Sequence, residues 1–395
     1  MLFHPAAAGD TYHAVIAGAG FAGAVTARIL AENGLHVLVL EKRPHIGGNA
    51  YDCPNPESGL RIHCYGPHIF HTNNRAVFDF LSRFTDWNGY EHKVLANVYG
   101  KFLPVPFNLE SLRLVYGADR AAMLSKTLSQ SYGEGQNVSI LELMKTDNPE
   151  LQALGKYIYD NIFETYTVKQ WDLPPERIDP ATTARVPIRL SDDCRYFTDR
   201  YQGLPSDGYT ALFERLLRHE NITLATGTDA LREMKVDAER KTLVFRGKPF
   251  EGAFVYTGEA DVLLGGRFGS LPYRTLDFVF ETHDCEFFQP CGTVNYTVDM
   301  PYTRITEFKH MTGESAKKTV ILKEFSKAYV PDSGQIPYYP IANAESAAIY
   351  RQYADALAGV KGLYLAGRLA EYKYYNMDAA AARAMSIAED ILAVL

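Results

Sequence analysis

The chain is poor in the features that mark secreted, membrane-spanning or nucleic-acid-binding proteins. Its 395 residues hold five cysteines, Cys53, Cys64, Cys194, Cys285 and Cys291, an odd number with no C-x-x-C pair. That count argues against a disulfide framework and against a closed zinc site. Free thiols in a reducing cytosol are the expectation, and with them a cytoplasmic location. No apolar run reaches the roughly 18 residues of a membrane span. The small apolar stretch 14–25 has three glycines at fixed spacing and no basic leader, so it does not read as a signal peptide. Positive charge is short: 40 Lys and Arg stand against 47 Asp and Glu, a net charge of -7. No nucleic-acid partner is expected from that balance, and an anionic substrate would need a local Arg or Lys cluster. A G-x-S-x-G nucleophile elbow is absent, which removes the common hydrolase reading. Tryptophan occurs twice but tyrosine 26 times. Each tyrosine couples an apolar ring to a hydroxyl, which suits stacking and diphosphate binding alike.

What is present begins with a short apolar strand over residues 13–17. It runs into Gly18-Ala19-Gly20-Phe21-Ala22-Gly23, and a helix is expected over 21–33 with Gly34 at its C′ position. A continuously apolar stretch, 35–40, reads as a buried parallel strand and ends at Glu41. G-x-G-x-x-G alone is weak, but here it follows a strand and opens a helix, which makes it a dinucleotide fingerprint. Gly18 permits the tight turn, Gly20 the approach of a pyrophosphate, and Gly23 close helix–sheet packing. The helix start, from Phe21, then offers free N–H groups and a positive dipole end. Glu41 stands about 20 positions after Gly20, where a carboxylate accepts from ribose hydroxyls and repels a 2′-phosphate.

Further along, 107–131 and 140–167 show helical periodicity, and Pro174, Pro175, Pro180 and Pro187 break up the stretch that follows. Residues 222–225, 242–245 and 253–257 read as strands that rejoin the nucleotide domain. Residues 272–330 alternate apolar and polar and read as an antiparallel sheet. A last buried strand at 363–366 and a helix from 377 close the chain. The expected fold is α/β: a Rossmann-like domain, discontinuous in sequence (12–100, 200–270 and 360–395), a helical domain (101–199) with a mobile loop at about 171–190, and an antiparallel β-sheet domain (271–359). His63, His68 and His71 invite a metal, but no consistent spacing supports one and none is assigned.

Two resemblances add identity to this scaffold. The run 41–49 (Glu-Lys-Arg-Pro-His-Ile-Gly-Gly-Asn) and the late Gly367-Arg368 resemble the FAD arm of the glutathione-reductase-like flavoproteins. They imply FAD contacts from Lys42, Gly48, Asn49 and Met377, and place Arg368 near the pyrophosphate. The runs 65–72 (Tyr-Gly-Pro-His-Ile-Phe-His-Thr), 167–171 (Thr-Val-Lys-Gln-Trp), 185–189 (Arg-Val-Pro-Ile-Arg), 301–305 (Pro-Tyr-Thr-Arg-Ile), 337–340 (Pro-Tyr-Tyr-Pro) and 367–375 resemble, in order, the bacterial UDP-galactopyranose mutases. The resemblance implies interconversion of UDP-galactopyranose and UDP-galactofuranose, with UDP released and recaptured. Reduced FAD acts in that scheme through N5 as a covalent nucleophile, with no net redox change. It further implies activation by NAD(P)H or another reductant, and a homodimer.

By the same resemblance Arg185 and Arg304 hold the substrate diphosphate, and the hydroxyls of Tyr339 and Tyr374 reach it. Tyr196 lies at the diphosphate or uridine end, and Phe163 and Tyr166 lie around the uracil. Trp171 sits on the mobile loop, and His68 beside the flavin ring positions it. The family commonly carries Tyr-Tyr-Asp-Met where this chain has Tyr374-Tyr375-Asn376-Met377, so Asn376 keeps hydrogen bonding at that point but not the charge. The competing readings are a flavin amine oxidase or desaturase, whose substrate channel would be largely apolar, and a non-enzymatic binding protein on the same scaffold.

Overall fold

In the computed structural model, which describes residues 11–171, 186–298, 300–331, 333–341 and 343–395, the N-terminal fingerprint forms as its sequence dictates. Strand β1 (Ala14–Ala17) is wholly buried, helix α1 runs over Phe21–Glu32, and strand β2 covers Val37–Glu41. Gly18 is needed at the turn because its φ is +105° and an added Cβ would lie 2.2 Å from Thr257 Oγ1. Gly23 is needed because a Cβ there would sit 1.9 Å from the carbonyl oxygen of Gly18. The two glycines let α1 lie directly on the turn it leaves.

The parallel sheet has five strands in the order Ile222–Thr226, β2, β1, Ala253–Tyr256, Leu363–Leu365. Its interior strands are uninterrupted apolar runs, as a sheet covered on both faces requires. On one face α1 packs with the last helix, Met377–Leu392, through Ala24, Ala27, Ala381, Ala384 and Ala388, all buried. Small side chains on both helices let them approach closely. The helix Tyr209–Leu217 closes the same layer with Leu212, Phe213 and Leu216. Full burial of each such Leu or Phe contributes about 1.5–3 kcal/mol against leaving it exposed.

A second, seven-stranded sheet runs Tyr339–Pro340, Tyr273–His283, Thr319–Ala328, Arg304–Glu307, Thr293–Tyr296, Val94–Val98, Lys101–Val105. It corrects the sequence expectation twice. Its last two strands come from residues 94–105, and Thr293–Tyr296 pairs with Val94–Val98 in parallel, so the sheet is mixed. The stretch 242–245 is also reassigned: Thr242–Phe245 pairs with Met234–Asp237 and Lys248–Phe250 in a separate antiparallel meander, outside the parallel sheet. The helical region is more broken than its periodicity implies. Gly117 separates Leu109–Tyr116 from Ala118–Tyr132, and Asn148 caps a new helix at Pro149 after Ile140–Met144 ends. Thr146 and Asp147 thus lie in a loop where continuous helix was expected. The five cysteines are free, with Cys53 and Cys64 sulfurs 3.0 Å apart.

Two buried histidines make the fold acid-sensitive. Burial, with Arg61 adding to it, pushes His63 down to about 3. Burial, with Arg304 and His71 adding to it, does the same for His92. Above pH 6.5 both are neutral folded or unfolded. Below it only the unfolded chain takes up the protons, so stability falls with falling pH toward pH 3. Each contributes a slope of about 1.4 kcal/mol per pH unit. Urea unfolding at pH 5 should therefore show about 4 kcal/mol less stability than at pH 7 from these two groups, and equal stability at the two pH values would contradict it.

Candidate active site

One cavity of about 1330 Å³ joins the two sheets. At one end lies the fingerprint turn. The first turn of α1 has neither a capping side chain nor an acidic residue, so its amides remain available to an anion. Gly20 faces Gly48, which has φ +56° and whose notional Cβ would come within 3.0 Å of Gly20 Cα. Glu41 Oε2 accepts from Ala19 N at 2.7 Å and its Oε1 from Arg43 N at 2.9 Å, which fixes the carboxylate beside the turn with lone pairs to spare. Arg43 donates to Asn49 Oδ1 at 2.8 Å and lies 4.4 Å from the Tyr65 ring centroid, while its Nη1 is buried with no hydrogen-bond partner among the described residues. An open helix end, a glycine-lined cleft, a held carboxylate and an orphaned guanidinium nitrogen fit a dinucleotide. Lys42 reaches Asp229 at 3.5 Å on the rim. Phe21 lines the cavity, but its ring packs in the core against Phe213 at 4.9 Å, so its backbone is what it offers a cofactor.

The middle of the cavity is imidazole and helix end. His68 N donates to His63 Nδ1 at 3.0 Å, and His68 Nδ1 lies 2.8 Å from the Gly66 carbonyl. A carbonyl partner requires the proton on Nδ1, so Nε2 carries the lone pair. Burial first, then His63, Arg368 and Arg304, drive His68 down to about 3 against the opposing pull of the Gly66 carbonyl. It is a neutral group at working pH. Asn376 is the N-cap of Met377–Leu392, yet its side chain caps nothing. Both Asn376 and Met377 border the cavity, and the positive end of this helix favours negative charge there. His71 is accounted for by Asp199, 2.9 Å away, and by stacking on Phe197.

The far end is built on the mixed sheet. Arg304 Nε donates to Glu324 Oε1 at 2.7 Å, and Glu324 is almost fully buried behind it. Burial pulls the Arg304 pKa down, but Glu324, with Tyr166 and Tyr339, outweighs it and holds the guanidinium well above its ordinary value. Among the described residues neither Nη group has a hydrogen-bond partner, so both remain for a ligand. Tyr166, Tyr196, Tyr339 and Tyr374 surround this end. Burial raises Tyr166 to about 12 and also raises Tyr339, so both phenols stay protonated and able to donate. The rings of Tyr339 and Tyr374 stack with centroids 5.9 Å apart.

The structure gathers the sequence-selected residues with some differences. Gly18, Gly20, Gly23, Glu41, Lys42, Gly48 and Asn49 line one end, and Phe163, Tyr166, Tyr196, Arg304, Tyr339 and Tyr374 the other. Arg368 borders the same cavity. Its guanidinium lies 5.0 Å from the rings of both Tyr339 and Tyr374 and donates to the carbonyls of Tyr338 and Tyr375. Only Gly367 abuts α1, where a Cβ would lie 3.5 Å from Ala22 Cβ. Arg185 lies outside the described residues. Trp171 ends the helix Thr165–Trp171, and its side chain also lies outside them. Phe163 is delivered by a π-helical turn, Tyr159–Glu164, that offsets the helix before it reaches the cavity.

Sequence reasoning missed Thr293 and Asn295, which line the cavity and whose Oγ1 and Oδ1 are buried with no hydrogen-bond partner among the described residues. Asn295 pairs directly with Arg304 across the strands. Once Arg304 is placed, its neighbour on the same face follows from antiparallel register.

Fold and site together define a dinucleotide-binding protein: a Rossmann-like domain whose cleft opens onto an arginine- and tyrosine-lined anion site. The sequence profile of the UDP-galactopyranose mutases matches residues 161–374, and that of an NAD(P)-binding Rossmann-like domain matches residues 16–84. A probable UDP-galactopyranose mutase of Klebsiella pneumoniae is 35% identical over 380 residues, covering 96% of this chain and 94% of the relative. A dTDP-fucopyranose mutase of Escherichia coli is 34% identical, covering 95% and 97%. The crystal structure of a reduced UDP-galactopyranose mutase superposes with a TM-score of 0.67 at 18% identity, over 98% of this chain and 95% of the other. The chain belongs to the UDP-galactopyranose mutase family. It is an isomerase whose cofactor is FAD, and no helix among the described residues is long and apolar enough to cross a membrane.

Proposed function

We propose that the protein interconverts UDP-galactopyranose and UDP-galactofuranose, with no net redox change. The observation that carries this reading is the continuity of one cavity from the Gly20–Gly48 cleft to Arg304. A nucleotide sugar placed between them would rest its diphosphate on the guanidinium, and reduced FAD held at the Gly20–Gly48 cleft would supply nucleophilic chemistry for the anomeric carbon.

The chain's own residues do the rest. Arg304, with Arg185 from the segment beyond the described residues, holds the diphosphate while the glycosidic bond is broken. UDP must leave, remain bound and return, and a guanidinium already oriented by Glu324 stabilises its charge without reorganising. Tyr339 and Tyr374 add neutral donors. Tyr196 borders the diphosphate, and Phe163 and Tyr166 hold the base. Trp171 and the segment that follows it close over the site and exclude water, but not as far as residue 190, because Ile188–Arg189 is buried and paired with Asn137–Val138 as a fixed strand. His68, neutral and fixed by Gly66 and His63, positions the flavin ring. Asn376 donates or accepts without adding charge. Gly18, Gly20, Gly23, Glu41, Lys42, Gly48, Asn49, Met377 and the Phe21 backbone hold FAD.

An amine-oxidase-like channel would be largely apolar, whereas this one ends in Arg304, four tyrosines and an amide. A non-enzymatic binder would need neither the fingerprint nor Glu41. The proposal includes a cytoplasmic location, a homodimer, and NAD(P)H or another reductant for activation. UDP-galactopyranose and dTDP-fucopyranose, offered separately to the reduced enzyme, test the substrate. Faster conversion of the UDP-sugar supports the proposal, and exclusive conversion of the dTDP-sugar overturns it.

A further inference from the structure

The helix Thr165–Trp171, which brings Tyr166 and Gln170 to the cavity, ends in an unusual clasp. Lys169 Nζ donates to the carbonyls of Tyr296 at 2.5 Å, Val298 at 3.1 Å, Met300 at 3.1 Å and Tyr302 at 3.4 Å. These are alternate residues of the connection between Thr293–Tyr296 and Arg304–Glu307, curled round a single ammonium. Four carbonyl dipoles pointing inward repel one another unless a cation sits among them, and a lysine with three protons serves four acceptors by sharing one. One residue on, the Gln170 carbonyl accepts from Ser326 Oγ at 2.6 Å, and Ser326 Oγ in turn accepts from Arg274. The helix end is thereby fastened to both the strand and the turn of the mixed sheet.

The turn leads directly to the anion site. Thr303 N donates to the Glu324 carbonyl at 2.8 Å, and Arg304 follows with its Nε on the Glu324 carboxylate. Curvature of the turn sets where Arg304 emerges. The same lysine fixes that curvature against the helix that carries Tyr166. We propose that Lys169 is a positioning residue for Arg304: it locks the 296–302 turn to the helix Thr165–Trp171, so that the guanidinium and the base-binding side chains keep one fixed separation. The inference rests on the reading of Arg304 as the diphosphate ligand.

The test is UDP binding by calorimetry to the oxidised holoenzyme, for wild type, K169M, R304A and the double variant, with FAD content measured for each. Loss of a charge-assisted contact predicts that K169M binds UDP about tenfold more weakly with FAD content unchanged. In the R304A background the same change should cost less than about twofold, because the group it positions is gone. K169R keeps the charge but presents a planar fork that cannot gather four carbonyls, so it should fall between wild type and K169M. Equal losses in both backgrounds, or wild-type UDP affinity in K169M, would overturn the proposal. If K169M does not accumulate as folded holoenzyme, K169R carries the test, and wild-type affinity in K169R would overturn it. Absence of UDP binding by the wild-type holoenzyme overturns the parent reading of Arg304, and this one with it. UDP binding that survives only the Lys169 changes removes Lys169 alone.

Discussion

Replacing Arg304 by alanine should lower kcat/KM by on the order of 100- to 1000-fold and leave FAD bound. The guanidinium lies at the end of the cavity away from the Gly20–Gly48 cleft, and its only side-chain partner in the hydrogen-bond network of the described residues is Glu324. A fixed, charge-assisted donor to a departing diphosphate is worth on the order of 100- to 1000-fold in kcat/KM, and loss of a bidentate fork falls at the upper end. Removal also strands the buried Glu324 carboxylate. Breaking a buried pair by deleting one partner costs about 3–5 kcal/mol, so R304A should unfold more readily as well. R304K separates the two effects: it keeps a cation beside Glu324 and restores stability, but offers a point charge where a planar fork was required. R304K should therefore be stable, yellow and slow. Near-normal kcat/KM in either variant would take Arg304 out of the diphosphate site.

A valine at Gly20 should yield folded but colourless protein. A Cβ at this position would meet Gly48 Cα at 3.5 Å, an ordinary contact, and Gly20 has extended backbone as the N-cap of α1. The fold therefore tolerates the substitution. The further methyls of valine project into the cleft where a pyrophosphate must approach the α1 amides. Overpacking of about 1–3 kcal/mol, added to lost amide contacts, predicts FAD affinity lower by on the order of a hundredfold or more. Visible flavin absorbance of the purified variant checks it. A yellow G20V with full FAD stoichiometry would contradict the assignment of the cleft.

The dinucleotide half of the site was legible because its signals are local. Strand, turn, helix and carboxylate follow one another within residues 14–41, and each glycine is required by a backbone approach that any fold of this unit imposes. The anion half was legible only through family resemblance, since Arg304, Tyr339 and Tyr374 come from three distant segments. Neither route could find Asn295 or Thr293, whose importance arises from register against Arg304 and from the absence of partners, and neither is written in an isolated strand of four residues. The misassigned stretch 242–245 shows the same limit. A short apolar run fits a parallel strand and an edge of a meander equally well, and the outcome was decided by Met234–Asp237 and Lys248–Phe250 lying close enough to pair. Residues 94–105 joined the mixed sheet through a parallel pairing nearly 200 residues away in sequence, which periodicity does not encode. Arg368 was found through the late Gly-Arg pair, while its neighbours Tyr339 and Tyr374, each with a ring centroid 5.0 Å from the guanidinium, come from packing that the pair does not encode.

The decisive question is whether this cavity changes the ring size of a nucleotide sugar in the presence of reduced flavin. The direct measurement is chromatography of UDP-galactofuranose incubated with dithionite-reduced protein, beside an oxidised control. UDP-galactopyranose should form in the reduced sample alone, with no consumption of reductant beyond that needed for the flavin. Unchanged UDP-galactofuranose after incubation with folded protein that was yellow before dithionite and fully bleached by it would contradict this reading.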